Sequence, residues 1–300
     1  MAANLAVIVW GAFVRASGSG AGCGNHWPMC NGQVIPHAPN VKTIIEFTHR
    51  VTSGLALVLV VLQYVWSRRL FAKGVGARRA AGLALVFIIT EALVGGGLVL
   101  FEMVAGNKSV ARAWWMTGHL LNTFALVAAL TVAWWSARQG DKEPAALPIN
   151  RYAMLLNISM LGVAVVALSG AIAALGDTLF PAASLAEGFR HDFLATAHAF
   201  VRLRMWHPFI AVGVATFLLV VTGRLMLAES FEPLRSQATI VAALVVVQLM
   251  LGLVNLLLLA PIALQLIHLL VAQMLWVTLV VLRARFSQGP VHAVHLSKAA

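Results

Sequence analysis

The sequence predicts an all-α integral membrane protein with eight transmembrane helices, arranged as two pseudosymmetric four-helix bundles. The first observation behind this prediction is composition: 61% of the residues are hydrophobic and 10% are charged, whereas soluble domains have roughly 45–50% apolar and 25% charged residues. The second is a mean hydropathy of +0.89. The third is a series of eight apolar stretches, separated by short polar or Gly/Pro-containing breaks, most of them near the about 20 residues that span a bilayer.

The apolar stretches divide the chain into two groups of four. Residues 1–137 form the first predicted bundle, 138–151 form a polar cytoplasmic linker that contains two prolines, and 152–300 form the second bundle. The first span is short because Arg15 follows roughly a dozen apolar positions, so we expect either a thin, tilted helix or a start that lies upstream. The spans are expected at residues 1–14, 44–66, 80–101, 113–136, 152–175, 200–222, 238–259 and 262–282.

The net charge of +11 does not predict a nucleic acid partner, because the lysines and arginines lie in short loops that flank the spans. Basic loops of this kind mark the cytoplasmic side of a membrane protein. With most of the 21 lysines and arginines on one side, both termini are expected in the cytoplasm, and the loop with Cys23 and Cys30 is expected outside the cell membrane. The strongest basic cluster comprises Arg68, Arg69, Lys73, Arg78 and Arg79.

The two halves share landmarks that predict duplication of a four-helix unit. Four pairs of residues recur at nearly constant offsets of 159, 158, 157 and 149 positions. In that order, the pairs are Gly11 with Gly170, His49 with His207, Glu91 with Gln248, and His119 with His268. An even number of spans in each unit gives a parallel repeat, unlike the inverted repeats of many transporters.

Four histidines, one near the outer end of every second span, are the strongest functional signal. A single histidine in a membrane helix often serves to form a hydrogen bond to another helix. Inserting an ionisable side chain there costs a few kcal/mol, however, so each one needs a reason. Two imidazoles on two helices at similar depth are suited to binding a heme from both faces. We therefore predict two pairs of axial ligands to heme iron: His49 with His119, and His207 with His268, with His198 as the alternative to His207.

Other metal centres fit the sequence less well. A structural zinc site requires four closely spaced Cys or His ligands, and the sequence has no such spacing. A carboxylate-bridged di-iron centre requires two Glu-x-x-His motifs. Glu46 and His49 form one such motif, but Arg204 stands at the matching position before His207. The second half therefore cannot complete a di-iron centre.

Glu46 distinguishes the first half from the second. It lies three residues before His49, on the same helix face, so its carboxylate is expected beside the first heme. A buried carboxylate there is a candidate proton acceptor or cation stabiliser at a reacting carbon. The structural alternative is a salt bridge to Arg50 or Arg15.

In the second half, Arg204 and Arg202 are suited to bind a heme propionate. This difference predicts that one half reacts and the other conducts electrons. Cys23 and Cys30, with six residues between them, lie in a loop where a disulfide can persist. Closing so small a loop stabilises a protein by roughly 2–3 kcal/mol in the chain-entropy model, and a redox role near the first-half site stays equally open.

Several of these stretches resemble the heme A synthase family. GAFVRASGSGAGCGNHWPMCNG is similar to the first outer loop of that family, with its Gly-Ser-Gly, cysteine pair and Trp-Pro. IIEFTHRVTSG is similar to its Glu-x-x-His-Arg motif, and GHLLNT and IHLLVAQ are similar to its other histidine motifs. The resemblance covers about residues 9–282.

This resemblance implies eight helices in two bundles and oxidation of the C8 methyl group of heme O to the formyl group of heme A. The residues implied are His207 and His268 for a permanent heme b, His49, His119 and Arg50 for the substrate heme, and Glu46 for the oxidation. The expected partners are a heme O synthase as donor, an electron acceptor such as a quinone, and membrane lipid. Self-association is left open.

Two other functions fit part of the pattern. A bis-heme subunit that oxidises quinol and passes electrons across the membrane shares the helices and the histidine pairs. It needs neither Glu46 nor the cysteine loop, so these two features favour an enzyme. A transporter or other heme-handling protein would keep the bundle without any chemistry.

Overall fold

The computed structural model describes residues 1–139 and 151–288. Over these ranges the chain is helical and contains no β-strand. Most of the predicted linker 138–151 and the end of the predicted 152–300 bundle lie outside the described residues. The α-helices are α1 (Ala2–Ala16), α2 (Val41–Leu70), α3 (Gly76–Leu100), α4 (Val110–Gln139), α5 (Arg151–Leu179), α6 (Leu185–Phe193), α7 (Ala199–Arg204), α8 (Trp206–Leu227), α9 (Arg235–Leu257) and α10 (Ile262–Gln288), and a 3₁₀ helix covers Glu229–Leu234.

Within the described residues, seven helical segments are long and apolar enough to cross a membrane. They are Val41–Leu70, Gly76–Leu100, Val110–Gln139, Arg151–Leu179, Ala199–Leu227, Glu229–Leu257 and Ile262–Ser287. Helix α1 is also apolar but has 15 residues, about 22 Å at the rise of an α-helix, whereas the hydrocarbon core of a bilayer is about 30 Å thick. The chain is therefore a multi-pass membrane protein, as its composition predicts.

The predicted span 200–222 lies within one membrane-length segment, Ala199–Leu227, in which the helix is interrupted at a single residue. Helix α7 ends at Arg204, Met205 separates the two helices, and α8 begins at Trp206. Pro208 lies in the first turn of α8, where the missing backbone N–H costs no helical hydrogen bond. The break places His207 in that same first turn. The other predicted spans coincide with single helices, several of which extend beyond the predicted ends.

Consecutive long helices pack against one another in each half. In the first half α1 contacts α2, α2 contacts α3, and α3 contacts α4; in the second half α5 contacts α8, α8 contacts α9, and α9 contacts α10. The two halves meet because α4 packs against α5 and α10, while α10 also packs against α1. Helices α4 and α10 therefore lie at the centre of the molecule.

The main apolar core lies where the two halves meet. Phe124 and Val127 of α4 belong to one cluster with buried residues of α5, α8, α9 and α10. The rings of Trp276 and Phe124 pack with their centroids 5.0 Å apart, and the indole N–H of Trp276 donates to the carbonyl oxygen of Phe124 at 2.9 Å. Because lipid is as apolar as the core, close packing and hydrogen bonds of this kind stabilise helix association in a membrane.

Arg15 joins the short helix α1 to the second half. Its guanidinium donates to the carbonyl oxygen of Ala174 at 2.9 Å, to the hydroxyl of Thr178 at 2.8 Å and to the side-chain oxygen of Gln265 at 2.9 Å. A buried charged group needs hydrogen bonds to offset the loss of water. These three bonds supply them and fix α1 to α5 and α10.

Replacing Trp276 is expected to weaken the contact between the halves. Trp276→Ala should lower the free energy of unfolding by about 3–5 kcal/mol, the usual cost of removing a buried aromatic side chain. Trp276→Phe keeps most of the ring and loses one hydrogen bond, so about 1 kcal/mol is expected. The measurement is SDS-induced unfolding in mixed micelles, followed by circular dichroism.

The matched control is Trp66→Ala, since the Trp66 side chain on α2 is 61% exposed and should contribute little to the interior. An equal loss of stability in Trp66→Ala and Trp276→Ala would contradict the position of Trp276 at the contact between halves.

Candidate functional site

Two of the predicted ligand histidines pack closely on glycines of neighbouring helices. A Cβ atom at Gly11 would lie 2.8 Å from Cε1 of His49, and a Cβ atom at Gly170 would lie 3.0 Å from Cε1 of His207. Carbon atoms without a shared bond do not approach this closely in a packed interior. The glycines on α1 and α5 therefore provide the space that the two imidazole rings occupy.

The other two predicted ligands have neighbours of the same kind. A Cβ atom at Gly95 would lie 3.5 Å from Cε1 of His119, and a Cβ atom at Gly252 would lie 3.2 Å from Cε1 of His268. These contacts are less tight than the first two, but the rings again lie directly on the helix backbone. Three of the imidazoles thus occupy recesses that a glycine leaves open, and His119 lies at ordinary van der Waals distance from the fourth glycine.

The structure brings the predicted partners together within each half. His49 and His119 are close enough to interact electrostatically, and the same holds for His207 and His268. Each pair joins two helices that are not consecutive: α2 with α4, and α8 with α10. Two imidazoles from two helices are the donor set of a bis-histidine heme site.

The tautomer of His207 follows from its neighbours. Ser169 Oγ lies 3.0 Å from His207 Nδ1 and 2.9 Å from the carbonyl oxygen of Val166. With the one proton of the Ser169 hydroxyl assigned to the carbonyl oxygen of Val166, the hydroxyl oxygen accepts a hydrogen bond from Nδ1–H of His207. This leaves Nε2 with a free lone pair, as a metal-binding histidine requires.

The other three histidines have ring atoms without partners. Nδ1 of His49, His119 and His268 is buried and has no hydrogen-bond partner among the described residues. The amide nitrogen of Gln248 lies 3.1 Å from Nε2 of His268. Buried polar atoms without partners are rare and call for an explanation such as a missing group. A heme would bind through Nε2 and leave Nδ1 of each ring to an acceptor, so the unpaired Nδ1 atoms do not mark the heme site. The fit to a heme rests on the two imidazoles that each half provides.

Glu46 links helix α2 to the cysteine loop. Its side chain is buried, and Oε2 accepts a hydrogen bond from the backbone N–H of Cys23 at 2.8 Å. Its other oxygen accepts from Nη2 of Arg50 at 2.6 Å. Of the two arginines predicted as alternative partners, Arg50 forms the salt bridge, and Arg15 bonds to the second half instead. Glu46 is therefore fully engaged within the described structure, one helical turn from His49.

Arg50 and a disulfide hold the cysteine loop in place. Cys23 and Cys30 form a disulfide bond, and both residues are buried. Arg50 Nη1 donates to the carbonyl oxygens of His26 and Met29, at 2.6 and 2.5 Å. The loop is thus closed by a covalent bond and attached to α2 through the Glu46–Arg50 pair. The predicted role of Arg50 toward the substrate heme stays a prediction.

A run of three glycines, residues 95–97 of α3, makes room for three aromatic rings. His119 lies against the first glycine, Trp27 against the second and Trp115 against the third. A Cβ atom would lie 2.9 Å from the Trp27 ring and 2.7 Å from the Trp115 ring. The run therefore joins the cysteine loop, which contains Trp27, to the helix face that holds His119.

In the second half, Arg204 has a position like that of Glu46, three residues before a histidine. Its Nε donates to Asp192 Oδ1 at 2.7 Å, and its Nη1 donates to Asp177 Oδ1 at 3.0 Å. The guanidinium therefore holds α6 against the end of α5, with its charge matched by two carboxylates. Arg202 is exposed. The predicted role of Arg204 toward a propionate stays a prediction.

His198, the alternative to His207, has a structural role at the start of α7. Its Nδ1 accepts a hydrogen bond from the backbone N–H of Phe200 at 3.2 Å. Its ring stacks on Phe180, with the centroids 4.9 Å apart. These contacts leave His207 as the histidine that lies on a glycine and interacts with a partner imidazole.

Glu91 is a residue of the first-half site that the sequence argument used only as a landmark of the repeat. Its Oε1 lies 3.4 Å from Nδ1 of His119, and its carboxylate accepts hydrogen bonds from Asn122 and Thr123. A signal was present in the sequence: Glu91 is a charged residue inside a span, four positions before Gly95 and therefore on the same helix face.

The sequence of this chain is similar to two groups of characterised proteins. The family profile of the cytochrome oxidase assembly proteins, COX15-CtaA, matches residues 1–280. A protoheme IX farnesyltransferase of Thermus thermophilus is 46% identical over 284 residues, which cover 93% of this chain and 46% of that protein. The chain therefore spans about half the length of this relative.

Heme A synthases match shorter parts of the chain. The heme A synthase of Shouchella clausii is 43% identical over 97 residues, 32% of this chain and 32% of the relative. The heme A synthase of an Exiguobacterium species is 30% identical over 172 residues, 57% of this chain and 54% of the relative. Because the family profile covers nearly the whole length, the chain belongs to the COX15-CtaA family of cytochrome oxidase assembly proteins.

Proposed function

We propose that this chain is a heme A synthase, an oxidoreductase that converts the C8 methyl group of heme O to a formyl group. The observation that carries the proposal is the difference between the two histidine pairs. A buried carboxylate and a disulfide-closed loop adjoin the first pair through Glu46, whereas Arg204 and two aspartates adjoin the second. An electron carrier with two equivalent hemes needs no such difference. Relatives named heme A synthase support the same activity.

The proposed architecture has eight membrane helices in two pseudosymmetric bundles, with α1 as the eighth and shortest crossing. The helix contacts support it, because each contact in the first half has a counterpart in the second: α1–α2 with α5–α8, α2–α3 with α8–α9, and α3–α4 with α9–α10. The contacts between the halves correspond in the same way, α4–α5 with α10–α1. The glycine–histidine contacts follow the same order in both halves, and this gives further support. They are Gly11–His49 and Gly95–His119 in the first half, and Gly170–His207 and Gly252–His268 in the second.

In the second half, His207 and His268 would hold heme b as a permanent cofactor. Heme b supplies a one-electron redox centre when it is bound. Ser169 orients the ring of His207, and Gly170 leaves the space for it. Arg204 would bind a propionate directly only by giving up an aspartate, so its present contacts support a role in fixing the loop around the cofactor.

In the first half, His49 and His119 would hold the substrate heme O from its two faces. Arg50 lies on the loop side of this site, where it can bind a peripheral group of the substrate and hold the loop through the carbonyl oxygens of His26 and Met29. A loop fixed in this way can position a substrate and restrict water near the reacting carbon.

Glu46 would accept a proton from the reacting group or stabilise positive charge beside it. Converting a methyl group to a formyl group consumes one water and releases four protons and four electrons. A carboxylate held by Cys23 and Arg50 has a fixed orientation, as an efficient proton acceptor requires. The electrons must leave the chain, and a quinone in the membrane is the proposed acceptor.

The proposed source of the substrate is a protoheme IX farnesyltransferase, that is, a heme O synthase. In the Thermus relative of that name, a segment similar to nearly all of this chain occupies about half of the protein. We propose that both activities lie in the cell membrane, where a farnesylated heme would dissolve. The distribution of lysines and arginines supports cytoplasmic termini and an extracytoplasmic cysteine loop.

Hemes extracted from cells that express this chain together with a heme O synthase should include heme A. Separation by reversed-phase chromatography measures the ratio of heme A to heme O directly, and cells with the heme O synthase alone provide the control. Heme O that accumulates unchanged, with a b-type spectrum in the purified chain, would contradict the proposal and identify the quinol-oxidising alternative.

Glu46→Gln should keep bound heme while the yield of heme A falls by about 100-fold or more, the usual effect of losing a catalytic acid or base. Glu102→Gln is the matched control, since Glu102 is an exposed glutamate at the same end of the bundle that accepts a bond from Asn25. Thiol labelling reports whether the Cys23–Cys30 disulfide persists. An unchanged heme A yield in Glu46→Gln would contradict the catalytic role.

A further inference from the structure

We infer that Glu91 is a positioning residue that places a negative charge beside His119, with a neutral residue in its place beside His268, so that iron bound in the first half has the lower midpoint potential. The inference rests on the proposed function, because it takes both histidines as ligands of heme iron. The difference in potential also predicts the direction of electron transfer, because electrons removed in the first half would pass toward the second.

Glu91 lies beside the ring of His119. Oε1 of Glu91 lies 3.4 Å from Nδ1 of His119, and this ring nitrogen has no hydrogen-bond partner among the described residues. A histidine that binds a metal through Nε2 carries its remaining proton on Nδ1. The carboxylate of Glu91 lies at ion-pair distance from that edge of the ring, and its negative charge there would favour ferric iron bound to His119.

Side chains of α4 fix the carboxylate of Glu91, which itself lies on α3. Asn122 of α4 donates to Glu91 Oε2 at 2.5 Å, and the hydroxyl of Thr123 donates to Oε1. The Asn122 amide is itself oriented, because it donates to the carbonyl oxygen of Phe87 at 2.8 Å and accepts from Thr90 at 2.6 Å. These hydrogen bonds hold Glu91 at the edge of the His119 ring.

The residue of the second half that corresponds to Glu91 is the neutral Gln248. Gln248 lies four residues before Gly252, as Glu91 lies four residues before Gly95. Its amide nitrogen lies 3.1 Å from Nε2 of His268 and 3.2 Å from the backbone carbonyl oxygen of the same residue. The Gln248 amide would move away from Nε2 when iron binds there, and it carries no net charge. The Glu91 carboxylate, in contrast, brings a negative charge to the edge of the His119 ring.

These contacts predict different redox properties for the two irons. A negative charge beside a ligand imidazole stabilises ferric over ferrous iron. The first-half iron should therefore be harder to reduce than the second-half iron. That order favours electron flow away from the half that contains Glu46.

The test is a spectroelectrochemical titration of the full-length chain, purified and loaded with heme b as the probe in both sites. Glu91→Gln keeps the shape of the side chain and removes its charge. At the midpoint of the wild-type first-half heme, the ratio of reduced to oxidised iron should rise about fivefold, the change expected when one unit charge close to the ligand is removed. The second-half component should not change.

Thr123→Val provides a second route if Glu91→Gln fails to fold, since it removes the hydroxyl that holds the carboxylate and should shift the same component in the same direction. Thr131→Val is the matched control on α4, because the Thr131 hydroxyl donates to the carbonyl oxygen of Val127 in its own helix. Gln248→Glu should leave the first-half component unchanged.

The outcomes separate this inference from the proposed function. Two bound hemes with potentials unaffected by Glu91→Gln and Thr123→Val would overturn the role of Glu91 while leaving the proposed function intact. A chain that binds no heme would overturn the proposed function and this inference together. A shift confined to the first-half component would support both.

Discussion

The close contact between an imidazole ring and a glycine backbone is the constraint on which the rest of this structure depends. At Gly11 a side chain would overlap the ring of His49, and at Gly170 it would press on the ring of His207, so these rings limit how the helices pack. The four contacts place two imidazoles in each half against neighbouring helices. Packing between lipid-exposed helices relies on such close approaches because water exclusion contributes little there.

The two halves use the same position for opposite charges. The residue three positions before the first histidine is Glu46 in one half and Arg204 in the other. Each attaches a connecting segment, the cysteine loop or α6, to the bundle. Glu46 accepts from the backbone of the cysteine loop, whereas Arg204 donates to Asp192 of α6. A shared tethering role explains why the position is charged in both halves. In the first half the residue at this position is itself a carboxylate, which supports the proposed proton acceptor, whereas in the second half it is a cation paired with two aspartates.

Much of this arrangement follows from the sequence alone. Hydropathy located seven long helices, and the spacing of four histidines predicted which of them would face each other, since imidazoles at similar depth on alternate helices must meet inside a small bundle. The sequence also offered a salt bridge from Glu46 to Arg50 or Arg15, and Arg50 forms it. The cysteine pair was predicted to form a disulfide, with a structural and a redox role both left open, and the structure contains that bond.

The sequence could not predict contacts that depend on how distant segments meet. The partners of Arg204 come from α5 and α6, and Arg15 bonds to helices more than 150 residues away. The contact of Glu91 with His119 depends on the register between α3 and α4, which hydropathy does not determine. The one-residue interruption at Met205 leaves no mark on the apolar pattern, and the predicted span 200–222 lies inside the single membrane-length segment Ala199–Leu227.

The central claim is that each half binds a heme between two imidazoles that pack against glycines. Anomalous scattering at the iron edge, measured on crystals of the purified protein, tests it most directly. The account predicts an iron peak between His207 and His268 in the protein as isolated, and a second peak between His49 and His119 after heme O is added. Iron bound at other residues, or no iron between His207 and His268, would contradict it.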